Sequence, residues 1–215
     1  MTHSLHREGS IESLENDYAV FIYPARGFNY KGCAPRVRRL VEIIYQTGPA
    51  NMIATTLRRN LYSGVAPEDV LDSIKEGCRV FSVFNSRQKL KDLLARFKEA
   101  DQGISIVVSG LIDRVREIAS EVGLNPHTIN VSLGVYGDTD RLPPADIRQV
   151  TTMCGHGMVS PFLVRDVIRK VKTHKADTWN GSLTLAKPCT CGIYNPYRSQ
   201  ALLNEMAPVY TVDRW

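Results

Sequence analysis

The sequence lacks the features that mark a membrane protein or an exported protein. No apolar run approaches the roughly 18 residues that a membrane-spanning helix needs. Residues 1–17 have no apolar central region, so they do not predict a secretory signal. We therefore expect a cytoplasmic protein with no membrane partner.

Familiar nucleotide-binding motifs are also missing. The chain contains neither GxxxxGK[ST] nor GxGxxG, the glycine-rich patterns that hold phosphates on backbone amides. It has no internal repeat and no low-complexity segment, which excludes a solenoid. Its 215 residues are 43% hydrophobic and 23% charged, which is typical of a globular domain and not of a disordered or coiled-coil chain.

The excess of positive charge is small. There are 27 Lys and Arg residues against 22 Asp and Glu residues, a net charge of +5. Most basic residues are scattered as on solvated helix faces, and the exceptions are the clusters within 36–39 and 58–59. The charge is therefore only a weak indication that the protein binds nucleic acid, and nucleic-acid binding stays open as an alternative. A small anionic ligand would use the same charge.

Strand-like and helix-like segments alternate from Tyr18 onwards. The segments 18–23, 79–84, 104–108 and 128–135 have the apolar content of buried strands. Helical patterns separate the last three, and a β-α-β-α-β order is typical of parallel strands joined by right-handed crossovers. We therefore predict a three-layer α/β fold with a mostly parallel sheet, helical crossovers and a C-terminal cysteine-bearing extension of helices and loops.

The remaining segments complete the predicted organisation. Residues 49–64 are predicted as a helix, and residues 175–187 have the composition of a loop. The domain prediction is a flexible tail over 1–17 followed by one α/β domain over 18–215, with the sheet and crossover helices in 18–150 and the cysteine loops and closing helices in 151–215.

The cysteines carry the strongest functional signal. Five is an odd number, and without an export signal it disfavours a disulfide framework and favours metal binding or catalysis. Cys78 begins an apolar strand and is expected to be a small buried hydrophobic residue. The other four lie in turns beside glycine or proline: Cys33, Cys154, Cys189 and Cys191.

The helices that follow these turns strengthen that signal. Each turn is followed by a predicted helix with a proline in its first position: Pro35, Pro161 and Pro196. A helix N-terminus carries partial positive charge, which favours a thiolate over a thiol. We therefore expect the four cysteines to meet in one metal site.

Spacing and ligand chemistry favour an iron–sulfur cluster at that site. Structural zinc sites favour C-x₂₋₄-C pairs, which the sequence does not contain. Dispersed cysteine ligands favour an iron–sulfur cluster, expected to be [4Fe-4S], with zinc as the alternative. If only three thiolates bind the cluster, one iron is left open as a Lewis acid for a small anionic substrate. The expected activity is that of an oxygen-sensitive lyase, hydrolase or desulfurase.

Four further side chains are candidates for catalysis. His156, two residues after Cys154, is a candidate metal ligand or acid–base group, or else an ordinary loop histidine. Arg26 and Arg198 flank cysteine loops and are able to grip a carboxylate or phosphate, although each also fits a surface arginine. Tyr30 lies in the same loop as Arg26 and completes the set.

Two other functions remain open. Cys154 is able to act as a nucleophile without a metal, activated by a helix N-terminus and by His156, but this leaves Cys189 and Cys191 unexplained. The third hypothesis is a zinc-stabilised module that binds nucleic acid through the basic helices at 36–39 and 58–59. The sequence predicts no oligomeric state.

Overall fold

The computed structural model describes residues 5–211. Within them the strands are β1 (Tyr18–Tyr23), β2 (Asn51–Ala54), β3 (Val80–Phe84) and β4 (Ser105–Ser109). The helices are α1 (Ile11–Leu14), α2 (Ala34–Thr47), α3 (Pro67–Asp72), α4 (Arg87–Ala100), α5 (Ile112–Glu121), α6 (Ala145–Thr151), α7 (Pro161–Lys172), α8 (Thr178–Ala186) and α9 (Pro196–Val209). Short 3₁₀ turns lie at Leu61–Ser63 and Thr139–Arg141.

The sheet is antiparallel throughout. Its strand order is β2-β3-β1-β4, and each neighbouring pair runs in opposite directions. Phe21 at the centre of β1 faces Phe81 of β3 on one side and Val107 of β4 on the other. The prediction of a three-layer, mostly parallel sheet is therefore wrong.

The position of β1 explains the error. Since β3 and β4 are each antiparallel to β1, they run in the same direction, and α4 joins them as the β-α-β pattern predicts. The pattern does not show that β1 lies between them. It also misses β2, which pairs with β3 and lies inside the segment 49–64 that is predicted as a helix. Four residues are too few to show a period.

Two further segments differ from the prediction. Residues 128–135 alternate apolar and polar side chains like a strand, but they pair with no strand of the described chain, and Leu133 is 82% exposed. Within 175–187, predicted as a loop, Asp177 caps α8 by accepting a hydrogen bond from the backbone N–H of Asn180. Gly181 and Ser182 weaken the helical signal because both have low helix propensity.

Two hydrophobic cores pack against opposite faces of the sheet. Tyr18, Val20 and Ile22 of β1 join the first core, which also contains buried residues of α2, α3, α4 and α5. Ala19 and Phe21 point the other way into the second core, which contains buried residues of α6, α7, α8 and α9. Successive strand residues alternate between faces, so β1 is buried on both sides. The C-terminal helices therefore pack on one face of the sheet, where β4 is the least buried strand.

Several helices begin at a residue whose side chain caps the first turn. Ser86, Ser160 and Asn195 precede α4, α7 and α9, and each side chain accepts a hydrogen bond from a backbone N–H of the first turn. Prolines occupy the first turns of α2, α7 and α9. Across residues 5–211, no helix is both long enough and apolar enough to cross a membrane.

Candidate thiol site

Three of the predicted cysteines come together in the second core. Cys154 follows α6, whereas Cys189 and Cys191 lie in the turn between α8 and α9. The sulfur atoms of Cys189 and Cys191 are 3.6 Å apart. The Cys154 thiol lies close enough to both of them for their side chains to shift its pKa. Their exposed fractions are only 1% for Cys154, 0% for Cys189 and 5% for Cys191. We call these three residues the thiol cluster.

The thiol cluster favours one negative charge. Hydrogen bonds from Cys189 and Cys191, and then from the backbone N–H groups of Met158 and His156, lower the pKa of Cys154, although burial opposes this. The same hydrogen bond to Cys154, with burial, raises the pKa of Cys189 and raises the pKa of Cys191 to about 11. The cluster therefore behaves as one thiolate that accepts hydrogen bonds from two thiols, with the charge belonging to the three sulfurs together.

Arg7 ties the two cysteine-bearing loops to each other. Its guanidinium donates hydrogen bonds to the carbonyl oxygen of Met153, at 3.2 Å, and to that of Ile193, at 2.5 Å. Met153 directly precedes Cys154, and Ile193 follows Cys191 closely. The same guanidinium forms an ion pair with the buried carboxylate of Asp17. These contacts belong to residues 5–17, for which the sequence predicts a flexible tail; residues 1–4 of that tail lie outside the described chain.

Asn60 holds the second loop from the other side. Its side-chain N–H₂ group donates to the carbonyl oxygens of Ala186, at 2.9 Å, and Cys189, at 2.8 Å. Asn60 is fully buried, and Asn51 of β2 similarly donates to the carbonyl oxygen of Tyr194 at 3.2 Å. Sequence reasoning missed both residues because no local pattern links an asparagine to a distant backbone carbonyl.

Gly192 allows the second loop to lie directly against the sheet. Its φ angle is +64°, in the left-handed region. A Cβ atom at this position would lie 2.9 Å from the backbone carbonyl carbon of Met52 and 2.9 Å from Cγ2 of Ile53. Only glycine satisfies both the backbone angle and this close approach to β2. The position of Cys191 therefore depends on a residue without a side chain.

Arg198 lies in an internal ion pair beside the cluster. It is 3% exposed, and Nη1 lies 2.9 Å from Oδ2 of Asp17. Its Nε donates to the hydroxyl of Ser13 at 2.8 Å, and Nη2 donates to the carbonyl oxygen of Glu8. The sequence predicts that Arg198 binds an anionic substrate. In the structure its guanidinium instead contacts the N-terminal segment.

His156 lies in the exposed loop between Cys154 and α7. Its backbone N–H is one of the groups that stabilise the Cys154 thiolate. The neighbouring residues Gly155, Gly157 and Met158 are also exposed. The thiol cluster therefore lies directly below a short surface loop.

The structure places the remaining predicted residues elsewhere. Cys33 belongs to the first core, on the opposite face of the sheet from the thiol cluster, and its sulfur accepts a hydrogen bond from the backbone N–H of Gly77 at 3.1 Å. The guanidinium of Arg26 lies 5.6 Å from the centre of the Tyr30 ring, at the end of the sheet. Cys78 is buried in the first core. The sequence predicts that four cysteines meet in one site. In the structure three of them do, and Cys33 does not.

In the described part of the chain, no group of three or more His, Cys, Asp and Glu side chains has the arrangement of a metal site. The fold and the site define an antiparallel α+β protein with three buried thiols. No family model, curated protein or solved structure matches the chain.

Proposed function

We propose that Cys154, Cys189 and Cys191 bind an iron–sulfur cluster that acts on a small anionic substrate. The observation that carries this proposal is the meeting of three soft sulfur donors, from two separate loops, in one buried site. Cysteine thiolates are the usual ligands of iron–sulfur clusters. Fewer protons must be released when a metal binds, because the site already favours one thiolate.

The number of cysteines bears on the chemistry. Because Cys33 lies on the other face of the sheet, the thiol cluster supplies three protein ligands. A cubane cluster with three cysteine ligands has one iron open to an external ligand, which serves as a Lewis acid for lyase or hydrolase chemistry. In this proposal His156, in the exposed loop after Cys154, transfers protons to or from the substrate.

Backbone hydrogen bonds support the same assignment. The N–H groups of His156 and Met158 lower the pKa of Cys154, and the N–H of Ile193 acts in the same direction on Cys191. Donors of this kind stabilise negative charge on sulfur and set the potential of a bound cluster. The same N–H groups would stabilise the thiolate ligands of any metal bound at this site.

Zinc is the alternative metal, and one distance favours it. Two sulfurs bound to a tetrahedral zinc at about 2.3 Å lie about 3.8 Å apart. The sulfurs of Cys189 and Cys191 are 3.6 Å apart. The choice between the two metals therefore rests on analysis of the purified protein.

A second candidate function is nucleophilic catalysis without a metal. The lowered pKa of Cys154 favours it, because a thiolate and not a thiol attacks an electrophile. In that case Cys189 and Cys191 would act as hydrogen-bond donors that hold the thiolate. The metal-free protein would then be active, and Cys154 alone would be alkylated rapidly by iodoacetamide.

Anaerobic metal analysis tests the proposal. We expect iron and acid-labile sulfide after reconstitution, with visible absorbance that dithionite bleaches. Cys189→Ser and Cys191→Ser should lose most of both, whereas Cys78→Ser, which changes a cysteine of the first core, should retain them. Stoichiometric zinc in a colourless protein would support the alternative metal. Protein that binds neither metal would contradict both assignments.

A further inference from the structure

A cavity of about 440 Å³ lies at the end of the sheet where β1 and β2 end and β3 begins. Volumes of this size are typical of sites for small molecules. Its lining includes Tyr23, Arg26, Tyr30, Thr55, Gly77 and Arg79. None of them belongs to the thiol cluster or its loops.

Two arginines bring positive charge to this cavity. The guanidinium of Arg79 lies 4.6 Å from the centre of the Tyr23 ring, and that of Arg26 lies 5.6 Å from the centre of the Tyr30 ring. Such cation–π contacts fix a guanidinium without neutralising it. No carboxylate within residues 5–211 forms an ion pair with either arginine, in contrast to Arg141, which pairs with Asp138 at 2.9 Å. Two uncompensated charges therefore face one cavity.

The walls of the cavity are held in place by the sheet. The backbone N–H of Thr55 donates to the carbonyl oxygen of Arg79 at 2.9 Å, and the N–H of Arg79 donates to the Thr55 hydroxyl at 3.2 Å. Tyr23 stacks on Phe81 of β3, with ring centres 6.2 Å apart. A site with fixed walls loses little conformational freedom when a ligand binds.

The loop after β1 is fixed as well. The side chain of Asn29 accepts a hydrogen bond from the backbone N–H of Ala25 at 2.6 Å and donates to the carbonyl oxygen of Gly103 at 2.8 Å. The Tyr30 ring packs so closely on Gly77 that a Cβ atom there would lie 2.2 Å from it. The acidic residue beside Gly77, Glu76, accepts a hydrogen bond from the Gly32 backbone at 2.7 Å.

We propose that this cavity binds a small phosphate monoester. A phosphate carries nearly two negative charges on one group, which matches the two guanidinium groups of Arg26 and Arg79. Guanidinium groups bind phosphate oxygens through paired, charge-assisted hydrogen bonds. The Thr55 hydroxyl and the tyrosine hydroxyls supply further donors. This site does not depend on the function proposed for the thiol cluster.

Titration calorimetry with phenyl phosphate tests the proposal, with phenol, benzoate and inorganic phosphate as comparison ligands. We expect saturable one-to-one binding of phenyl phosphate and none of phenol. Arg26→Gln and Arg79→Gln should each weaken binding by about tenfold or more, because each removes a charge-assisted contact. Arg141→Gln, which removes an exposed, paired arginine outside the cavity, should leave the affinity unchanged.

Three outcomes would overturn the proposal. These are no saturable binding, equal loss in Arg141→Gln and the two cavity variants, or tighter binding of benzoate than of phenyl phosphate. Thermal unfolding of each variant shows whether it is folded, and the exposed positions of Arg26 and Arg79 make loss of fold an unexpected result. Cys154→Ser should bind phenyl phosphate like the wild type, so failure of this site and failure of the thiol cluster are distinguishable.

Discussion

The guanidinium of Arg198 lies 2.9 Å from the carboxylate of Asp17, and both side chains are almost completely buried. Asp17 immediately precedes β1 and also pairs with Arg7, whereas Arg198 lies in the first turn of α9. Asn195, the residue that caps α9, donates to Asp17 as well, at 3.2 Å. One carboxylate therefore fixes the sheet, the last helix and the segment that ties the cysteine loops together.

Removal of that carboxylate should be costly. In Asp17→Asn, two buried guanidinium groups lose their shared counter-charge, and breaking a buried pair in this way typically costs about 3–5 kcal/mol of stability. Asp138→Asn is the control, because it removes an exposed ion pair and should change stability little. Urea unfolding measures both variants, and equal midpoints would contradict the role assigned to Asp17.

Substitution of Gly192 should destabilise the second cysteine loop. Gly192→Ala meets both an unfavourable φ angle of +64° and atoms of β2 at 2.9 Å. Gly32→Ala is a matched control, since its φ angle is +67° and no atom lies within 4 Å of the added methyl group. The backbone angle costs each variant about 1–2 kcal/mol. The contact with β2 should add about 1–3 kcal/mol to Gly192→Ala alone. Denaturant unfolding that finds the two variants equally stable would show that the loop does not lie against β2.

The metal-free protein should contain one stable thiolate. The pKa of Cys154 is lowered from the ordinary value of 9.0, so its contribution to stability is complete above pH 9 and is lost as the pH falls. The pKa of Cys191 is raised to about 11, so its contribution is complete below pH 9 and is lost as the pH rises through about 11.

Thiolate absorbance in the ultraviolet measures these ionisations. At neutral pH the wild type should show thiolate absorbance that Cys154→Ser lacks, and the thiolate of Cys191 should form only towards pH 11. Cys33→Ser should keep the neutral-pH signal because it lies in the first core. A wild type without thiolate absorbance below pH 8 would contradict the charge assigned to the cluster.

The segment over residues 128–135 should tolerate charge. Leu133 is 82% exposed, so Leu133→Lys should change the free energy of unfolding by less than about 0.5 kcal/mol. Leu93→Lys, at a fully buried position of α4, should instead prevent stable folding. A severe effect at Leu133 would indicate that the segment is a buried strand, as its alternating pattern predicts.

Local signals in the sequence predict only part of the local structure: they indicate β1 and the starts of α7 and α9, but not β2 or α8. Ser160 and Asn195 directly precede Pro161 and Pro196, which mark the predicted starts of α7 and α9, and a cap needs only its own side chain and the next few backbone N–H groups. The strand β1 was visible as an apolar run because it is buried on both faces. In contrast, the insertion of β1 between β3 and β4 depends on pairing between distant segments, which the apolar pattern does not encode.

The candidate site was predictable only in part. Its cysteines were recognisable because each lies in a glycine- or proline-containing turn near the start of a helix. Arg7 and Asn60 were not recognisable, since they act on backbone carbonyl groups that any residue provides. The position of Cys33 in the other core was also hidden, because its turn resembles the others and only the sheet separates it from them.

The most direct test of the central claim compares Cys154→Ser with Cys33→Ser after anaerobic reconstitution, by measuring iron and acid-labile sulfide per chain. The three-thiol site predicts that Cys33→Ser retains both at wild-type levels and that Cys154→Ser loses most of them. Equal loss in the two variants, or a wild type that incorporates neither iron nor sulfide, would contradict it.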